Sequence, residues 1–477
     1  MTIKTILTAA FICALCTVSA QRRELHILSV NDMHAKIEAM PQLAAIADSL
    51  RTLYPSLLVL SAGDNRTGNP LNDMYEPSGY PMVAMMNEIG FNASAIGNHD
   101  FDMNSLPKLS ALSNFSYICA NMSASDSSGV SVVPWQRFDA GGVSVGIIGV
   151  VETNKDGRPT THPDNLRGLT FADPVATIAD YEWVSRCCDV TILLSHHGYR
   201  ADTMAASRYP WLDLIVGGHS HKQLSPGETH NGVLITQNSD RLRFATHTTV
   251  VVDSGRVVEK HAEYIDVEHF GRKNAVLEGM VDKVSNNPYF EQVLAQATAS
   301  FDNIYELGCM VCDAAMEGTG AEVAIHNHKG VRMQSLPAGR ITVRDVLTMD
   351  PFGNSAYMLH ITGEELIRLV TSYSKMEVLH FPHLGGLKAR VTLDSKEPDK
   401  IASISLTMAD GSPIDMKRTY RVATNSYIAA ACRAYGIRNM ERLNHETSEL
   451  IIDFLKKKGQ VDYSRVRRID FVKEKNP

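Results

Sequence analysis

Short apolar runs separated by stretches of helical period dominate the first 270 residues. Residues 25–30, 57–60, 143–151, 190–194 and 212–216 are rich in Val, Ile and Leu and end in turn residues, the pattern of buried strands. Between them, residues 41–53 and 81–89 place apolar side chains three and four apart, which predicts helices. Met82, Met85 and Met86 fall on the second of these and read as core packing. Alternating strands and helices predict an α/β fold, here a layered αββα unit over residues 21–270. Residues 271–300 are polar and helix-favouring without a strong strand pattern, and read as a connecting segment. A smaller α+β unit follows over residues 301–477. It has helix-like stretches at 307–316 and 362–372, a strand at 323–325, and strand pairs around 388–393 and 401–408. Lys456-Lys457-Lys458-Gly459 reads as the basic, glycine-capped end of a helix.

Composition narrows the class. An apolar content of 44% excludes a disordered chain. The net charge of -7, with no basic face, excludes a nucleic-acid polymer as partner. Residues 1–20 carry Lys4, an apolar run and Val18-Ser19-Ala20, the pattern of a secretory signal peptide cleaved after Ala20. The protein is therefore expected to be exported to a periplasm or the extracellular medium, with no stable membrane insertion after cleavage. Cys309-Met310-Val311-Cys312 has zinc-ribbon spacing, but no second pair follows at the required distance. It reads as buried thiols or one local bridge.

The chemistry collects where the strands end. The run at 25–30 leads into Asn31-Asp32-Met33-His34, and that at 57–60 into Ser61-Ala62-Gly63-Asp64-Asn65. Ser94-Ala95-Ile96 leads into Gly97-Asn98-His99-Asp100-Phe101-Asp102, and the run at 190–194 into Ser195-His196-His197-Gly198. The run at 212–216 leads into Gly217-Gly218-His219-Ser220-His221. Ligands of α/β sheets bind beyond the carboxyl ends of strands, so five such ends can converge on one crevice. Singly, each cluster could be a cap or a turn. Together they form a coherent donor set of carboxylate, imidazole and amide oxygen, suited to Zn, Mn, Fe or Co.

In that order the clusters resemble the calcineurin-like metallophosphoesterases. Leu28-Ser29-Val30-Asn31-Asp32-Met33-His34 and Gly97-Asn98-His99-Asp100-Phe101-Asp102 resemble, more narrowly, the 5′-nucleotidase family. The resemblance implies two divalent metal ions. Asp32, His34, Asp64 and His221 would hold one, and Asp64, Asn98, His196 and His219 the other, with Asp64 bridging. His99 and Asp102 match the family's catalytic dyad. His197 should point to the opposite side of its strand and is left out. In the C-terminal domain the resemblance implies a small-molecule nucleotide partner, with Asn327 and Arg332 facing its phosphates. Phe352 and Tyr427 would clamp the base, and Asn354 would read it.

Departures from the family pattern bear on the substrate. Ala430-Ala431-Cys432-Arg433-Ala434 stands where the family has Gly-Gly-Asp-Gly, and His328 and Lys329 replace small residues. An arginine that family members often carry is missing near Asp302-Asn303. The reading is an exported metal-dependent phosphohydrolase of 5′-nucleotidase type. Alternatives are a 2′,3′-cyclic-nucleotide 2′-phosphodiesterase, a UDP-sugar hydrolase or, in a different class, an inactive nucleotide-binding protein. Hydrolysis of a sulfur ester has no positive sequence signal.

Overall fold

The computed structural model describes residues 22–224 and 226–474. Residues 1–20, expected to be a signal peptide, lie outside the described residues. The N-terminal domain holds two six-stranded sheets. The first runs, edge to edge, Arg256–Asp266, Phe244–Asp253, Arg23–Val30, Leu58–Ser61, Ala93–Ala95 and Ser116–Ile118. The second runs Glu228–His230, Val233–Thr236, Leu214–Gly217, Val190–His196, Val143–Val151 and Trp135–Ala140.

The central strands of each sheet are parallel. Parallel strands covered on both faces must be apolar on both, which is why these segments read as unbroken Val, Ile and Leu runs rather than as alternations. Leu25, Ile27, Leu58 and Leu60 meet Val145, Ile147, Ile192 and Leu194 between the sheets. On the outer faces, Leu28, Val30 and Val59 pack against helix Met40–Leu53 through Leu43 and Ile46, and Leu193 and Ile215 pack against Val175 and Ala205. The result is a four-layered αββα domain.

Register carries the site. Val30 pairs with Ser61, Ser61 with Ser94, Val151 with His196 and Ser195 with Gly217. The carboxyl ends of three neighbouring strands are thus level in each sheet, and each strand leaves its sheet at the same edge.

Residues 271–300 contain two elements. Helix Ala275–Ser285, capped by the Asn274 side chain, lies against helix Met40–Leu53. Strand Val293–Ala297 pairs with Gly339–Thr342 and with Gln460–Val461, and buries Leu294, Ala295 and Ala297. This strand was not read from the sequence, because its partners lie tens to hundreds of residues away.

The C-terminal domain is built on a five-stranded sheet ordered His383–Gly385, Val323–His326, Thr419–Asn425, Ser355–Thr362 and Met440–Glu446. Helices Ile304–Thr319 and Thr447–Lys458 pack beside it. The first starts at Asn303, whose side chain accepts from Tyr305 N and Glu306 N, and ends at Gly320 in the left-handed region. Lys457 and Lys458 near the end of the second pair with Glu317 at 2.6 and 2.8 Å. Among the described residues all six cysteines are free thiols, Cys309 and Cys312 being buried. No described helix is long and apolar enough to cross a membrane.

Candidate metal centre and active site

The five strand ends do converge. Ligand atoms of Asp32, His34 and His221 lie within 4.8 Å of one another, and so do those of Asp32, Asp64 and His196. His219 Nδ1 lies 3.0 Å from Asn98 Oδ1, and the His196 and His219 rings stand edge to face at 5.3 Å. His221 Nε2 is 3.2 Å from both Asp32 Oδ1 and His34 Nε2. Asp32 therefore faces both groups, not only the one assigned to it from the sequence. His197 stays outside the cluster, half-buried, where the charges of Asp173 and His196 both reach it.

The backbone is bent to make this cluster. Asp32, His34, Asp64, His219 and His221 all have φ between 44° and 70°. Left-handed conformations cost non-glycine residues about 1–3 kcal/mol each and persist only where the surroundings impose them. Here they are imposed by bonds between loops: Asp32 N donates to Gly63 O, His34 N to Asp64 O and Arg241 N to Asp32 O, at 2.8–3.0 Å. Gly97 is required by space. A Cβ there would lie 2.1 Å from Asp64 Oδ1.

The donors fit a cation. His196 Nδ1 faces the Ala62 carbonyl at 2.7 Å and His34 Nδ1 the Thr67 carbonyl at 3.1 Å, so each ring turns its Nε2 lone pair into the cluster. His196 Nε2 is fully buried and 3.2 Å from Asp64 Oδ2, yet makes no hydrogen bond. That geometry attracts without being aligned, as two ligands of one ion would be. Burial opposes a charge on His196, but Asp64 and Asp32 push its pKa up to about 10. The field of the two buried carboxylates thus calls for positive charge. His219, by contrast, is pushed down to about 3 by burial and by His196.

His99 Nδ1 lies 2.8 Å from Asp102 Oδ2. Burial works against its charged form, but Asp64 and Asp102 raise its pKa above the ordinary imidazole value. His99 N donates to Asp64 Oδ1 at 2.7 Å, tying the pair to the cluster. Asp100 holds no place among the ligands. It binds the loops together, accepting from Asp64 N (3.0 Å), Gly97 N (2.8 Å) and Asn65 N (3.1 Å). Sequence reading missed that role, which a Glu-like carboxylate one residue after His99 could have signalled.

The C-terminal domain closes the site. Phe352 stacks on His99 at 5.9 Å and 24°, and the Arg332 guanidinium lies 5.9 Å from the Phe352 ring. Arg332 is near enough to feel Asp64, Asp102 and Asp240. Tyr427 is near Glu152 and Asp102, whose charges raise its pKa after burial. Tyr427 sits in a helix that follows a strand directly. The strand ends at Asn425, whose Oδ1 accepts from Ile428 N and starts helix Ser426–Cys432. Asn327 Oδ1 accepts from Asn425 Nδ2 at 2.6 Å and Asn354 Oδ1 from Ser426 Oγ at 2.8 Å, so both amides are held from behind.

This geometry defines a metal-dependent phosphoesterase. Residues 25–223 match the calcineurin-like phosphoesterase family and residues 285–437 the 5′-nucleotidase C-terminal domain. The 5′-nucleotidase of Vibrio cholerae is 26% identical, over 97% of each chain. The trifunctional nucleotide phosphoesterase protein YfkN of Bacillus subtilis is 24% identical over 91% of this chain, which spans 34% of that longer protein. A 5′-nucleotidase precursor from Thermus thermophilus superposes with a TM-score of 0.82 at 23% identity, covering 95% of this chain and all of that one. The chain thus joins a calcineurin-like phosphoesterase domain to a 5′-nucleotidase C-terminal domain and is a hydrolase.

Proposed function

We propose that the protein is an exported hydrolase of nucleotide phosphoesters that works with two divalent cations. The observation that carries this reading is the meeting of carboxylate and imidazole donors from separate strand ends within 4.8 Å. Asp32, His34, Asp64 and His221 would hold one cation, and Asp64, Asn98, His196 and His219 the other. Bound there, the pair lowers the pKa of a water molecule and offsets charge on the phosphate oxygens. Zn, Mn, Co and Fe all suit these donors.

His99, with Nδ1 taken by Asp102, presents Nε2 to the phosphoryl group and donates a proton or hydrogen bond as the ester oxygen departs. Arg332 and Asn327 bind phosphate oxygens, Phe352 and Tyr427 grip the base, and Asn354 contacts its edge. A UDP-sugar is the favoured second substrate. Lys329 is near enough for its charge to reach His219, and Arg241 for its charge to reach Arg332, which suits a second anionic group. Export rests on the sequence of residues 1–20.

The test is hydrolysis by residues 21–477, stripped and reloaded with Mn, Zn, Co or Mg, read as phosphate from AMP, adenosine monophosphate from 2′,3′-cyclic AMP and UMP from UDP-glucose, with Asp64→Ala as blank. Metal-dependent turnover absent from the blank supports the reading. Tight nucleotide binding without turnover transfers it to a binding protein.

A further inference from the structure

The loop that follows strand Val143–Val151 reaches the catalytic groups from outside every motif named above. It leaves the sheet at Glu152, whose N donates to His196 O at 2.9 Å, and its buried carboxylate accepts from Thr160 N. The next two contacts fall on the site. Thr160 O accepts from Asn98 Nδ2 at 3.1 Å, which turns Asn98 Oδ1 toward His219. Thr161 Oγ1 donates to Asp102 Oδ1 at 2.8 Å and accepts from Asn165 Nδ2 at 3.1 Å.

The direction of these bonds is fixed by chemistry. An ionised carboxylate only accepts and an amide NH2 only donates, so the Thr161 proton must point at Asp102. Asp102 is then held at both carboxylate oxygens, Oδ2 by His99 and Oδ1 by Thr161, while its backbone carbonyl accepts from buried Arg66 at 2.5 Å. A carboxylate pinned at both oxygens cannot turn about its Cβ–Cγ bond. The imidazole it orients therefore cannot swing.

We propose that Thr161 is a positioning residue for hydrolysis, acting through Asp102 in a relay Asn165–Thr161–Asp102–His99. The inference rests on the phosphohydrolase reading. Because Thr160 orients Asn98 from the same turn, the loop sets the catalytic pair and one side of the metal cluster together. Thr161→Val keeps the shape and removes the donor; Thr161→Ser keeps the donor.

Thr161→Val is expected to lower kcat about 10- to 100-fold with KM little changed, the mark of an interaction used in the transition state. Thr161→Ser should restore most of the loss, with metal content and melting temperature matching the wild type in both. In the metal-free protein, the low-field imidazole proton of His99, assigned by its loss in His99→Gln, should shift in Thr161→Val and not in Thr161→Ser. Wild-type kcat in Thr161→Val overturns the inference, as does an equal loss in both variants. If Thr161→Val does not fold, Asn165→Ala decides: a severalfold lower kcat is expected, and wild-type kcat overturns the relay. If the wild-type protein hydrolyses no ester, the phosphohydrolase reading fails, and the His99 resonance alone judges the relay.

Discussion

Gly97→Ala tests how tightly the fold is drawn around the shared ligand. Gly97 has φ -96° and ψ 169°, a conformation open to any residue, so the substitution adds no backbone strain. The effect is purely one of space. The new Cβ would lie 2.1 Å from Asp64 Oδ1 and 2.3 Å from Asp64 N. Ordinary contacts begin near 3.4 Å, so Asp64 must retreat by about 1 Å. The retreat breaks its bond from His99 N (2.7 Å) and strains the bonds Asp100 makes to Asp64 N and Gly97 N. Overpacking of this kind costs about 1–3 kcal/mol of stability. A displacement of about 1 Å in a positioned group can cost about 100-fold in rate. The assay is urea unfolding alongside phosphate release and metal content by mass spectrometry. Gly271→Ala serves as control, since no atom lies within 4 Å of its added methyl group. A Gly97→Ala protein as stable, as metal-loaded and as active as the control would refute the packing argument.

Three further outcomes follow from the structure. Asp350 is buried, with Oδ2 accepting from Thr447 and Oδ1 without a partner, and burial pushes its pKa up to about 7. The folded state thus keeps a proton that the unfolded chain loses above about 4, so the stability present below that pH is lost as pH rises toward 7. The unfolding free energy of the wild type minus that of Asp350→Asn should fall by about 4 kcal/mol between pH 4 and pH 8, and a flat difference would sink the argument. His196→Ala should reduce bound metal and abolish turnover, whereas His197→Ala should retain both; mass spectrometry and phosphate release separate them. Arg433, exposed on the turn after helix Ser426–Cys432, should shift substrate ranking when changed to Asp, with AMP gaining on more anionic esters. An unchanged ranking removes Arg433 from the specificity argument.

What the sequence determined by itself was whatever is local. Apolar runs covered on both faces have few alternatives to buried parallel strands, so the αββα domain could be read from residues 25–30, 57–60, 143–151, 190–194 and 212–216. The polar clusters after them named the donors for the same reason, since strand ends are where an α/β sheet exposes side chains to a ligand. Strand Val293–Ala297 escaped, because it exists only by pairing with Gly339–Thr342 and Gln460–Val461. Helix Ser426–Cys432, which carries Tyr427, starts directly at the end of a strand because the Asn425 side chain caps it.

Tertiary structure alone decided how the donors meet. Asp32 joins both ligand groups, meeting His34 and His221 in one and Asp64 and His196 in the other. Phe352 reaches His99 from another domain. Thr161 holds Asp102 across 59 residues of chain, and Gly97 admits Asp64 only because it lacks a methyl group. Hydrogen bonds and close contacts between distant segments depend on direction and sub-ångström distance, which a one-dimensional pattern does not carry; periodicity and residue type do not depend on them, and those are what the chain displays unfolded.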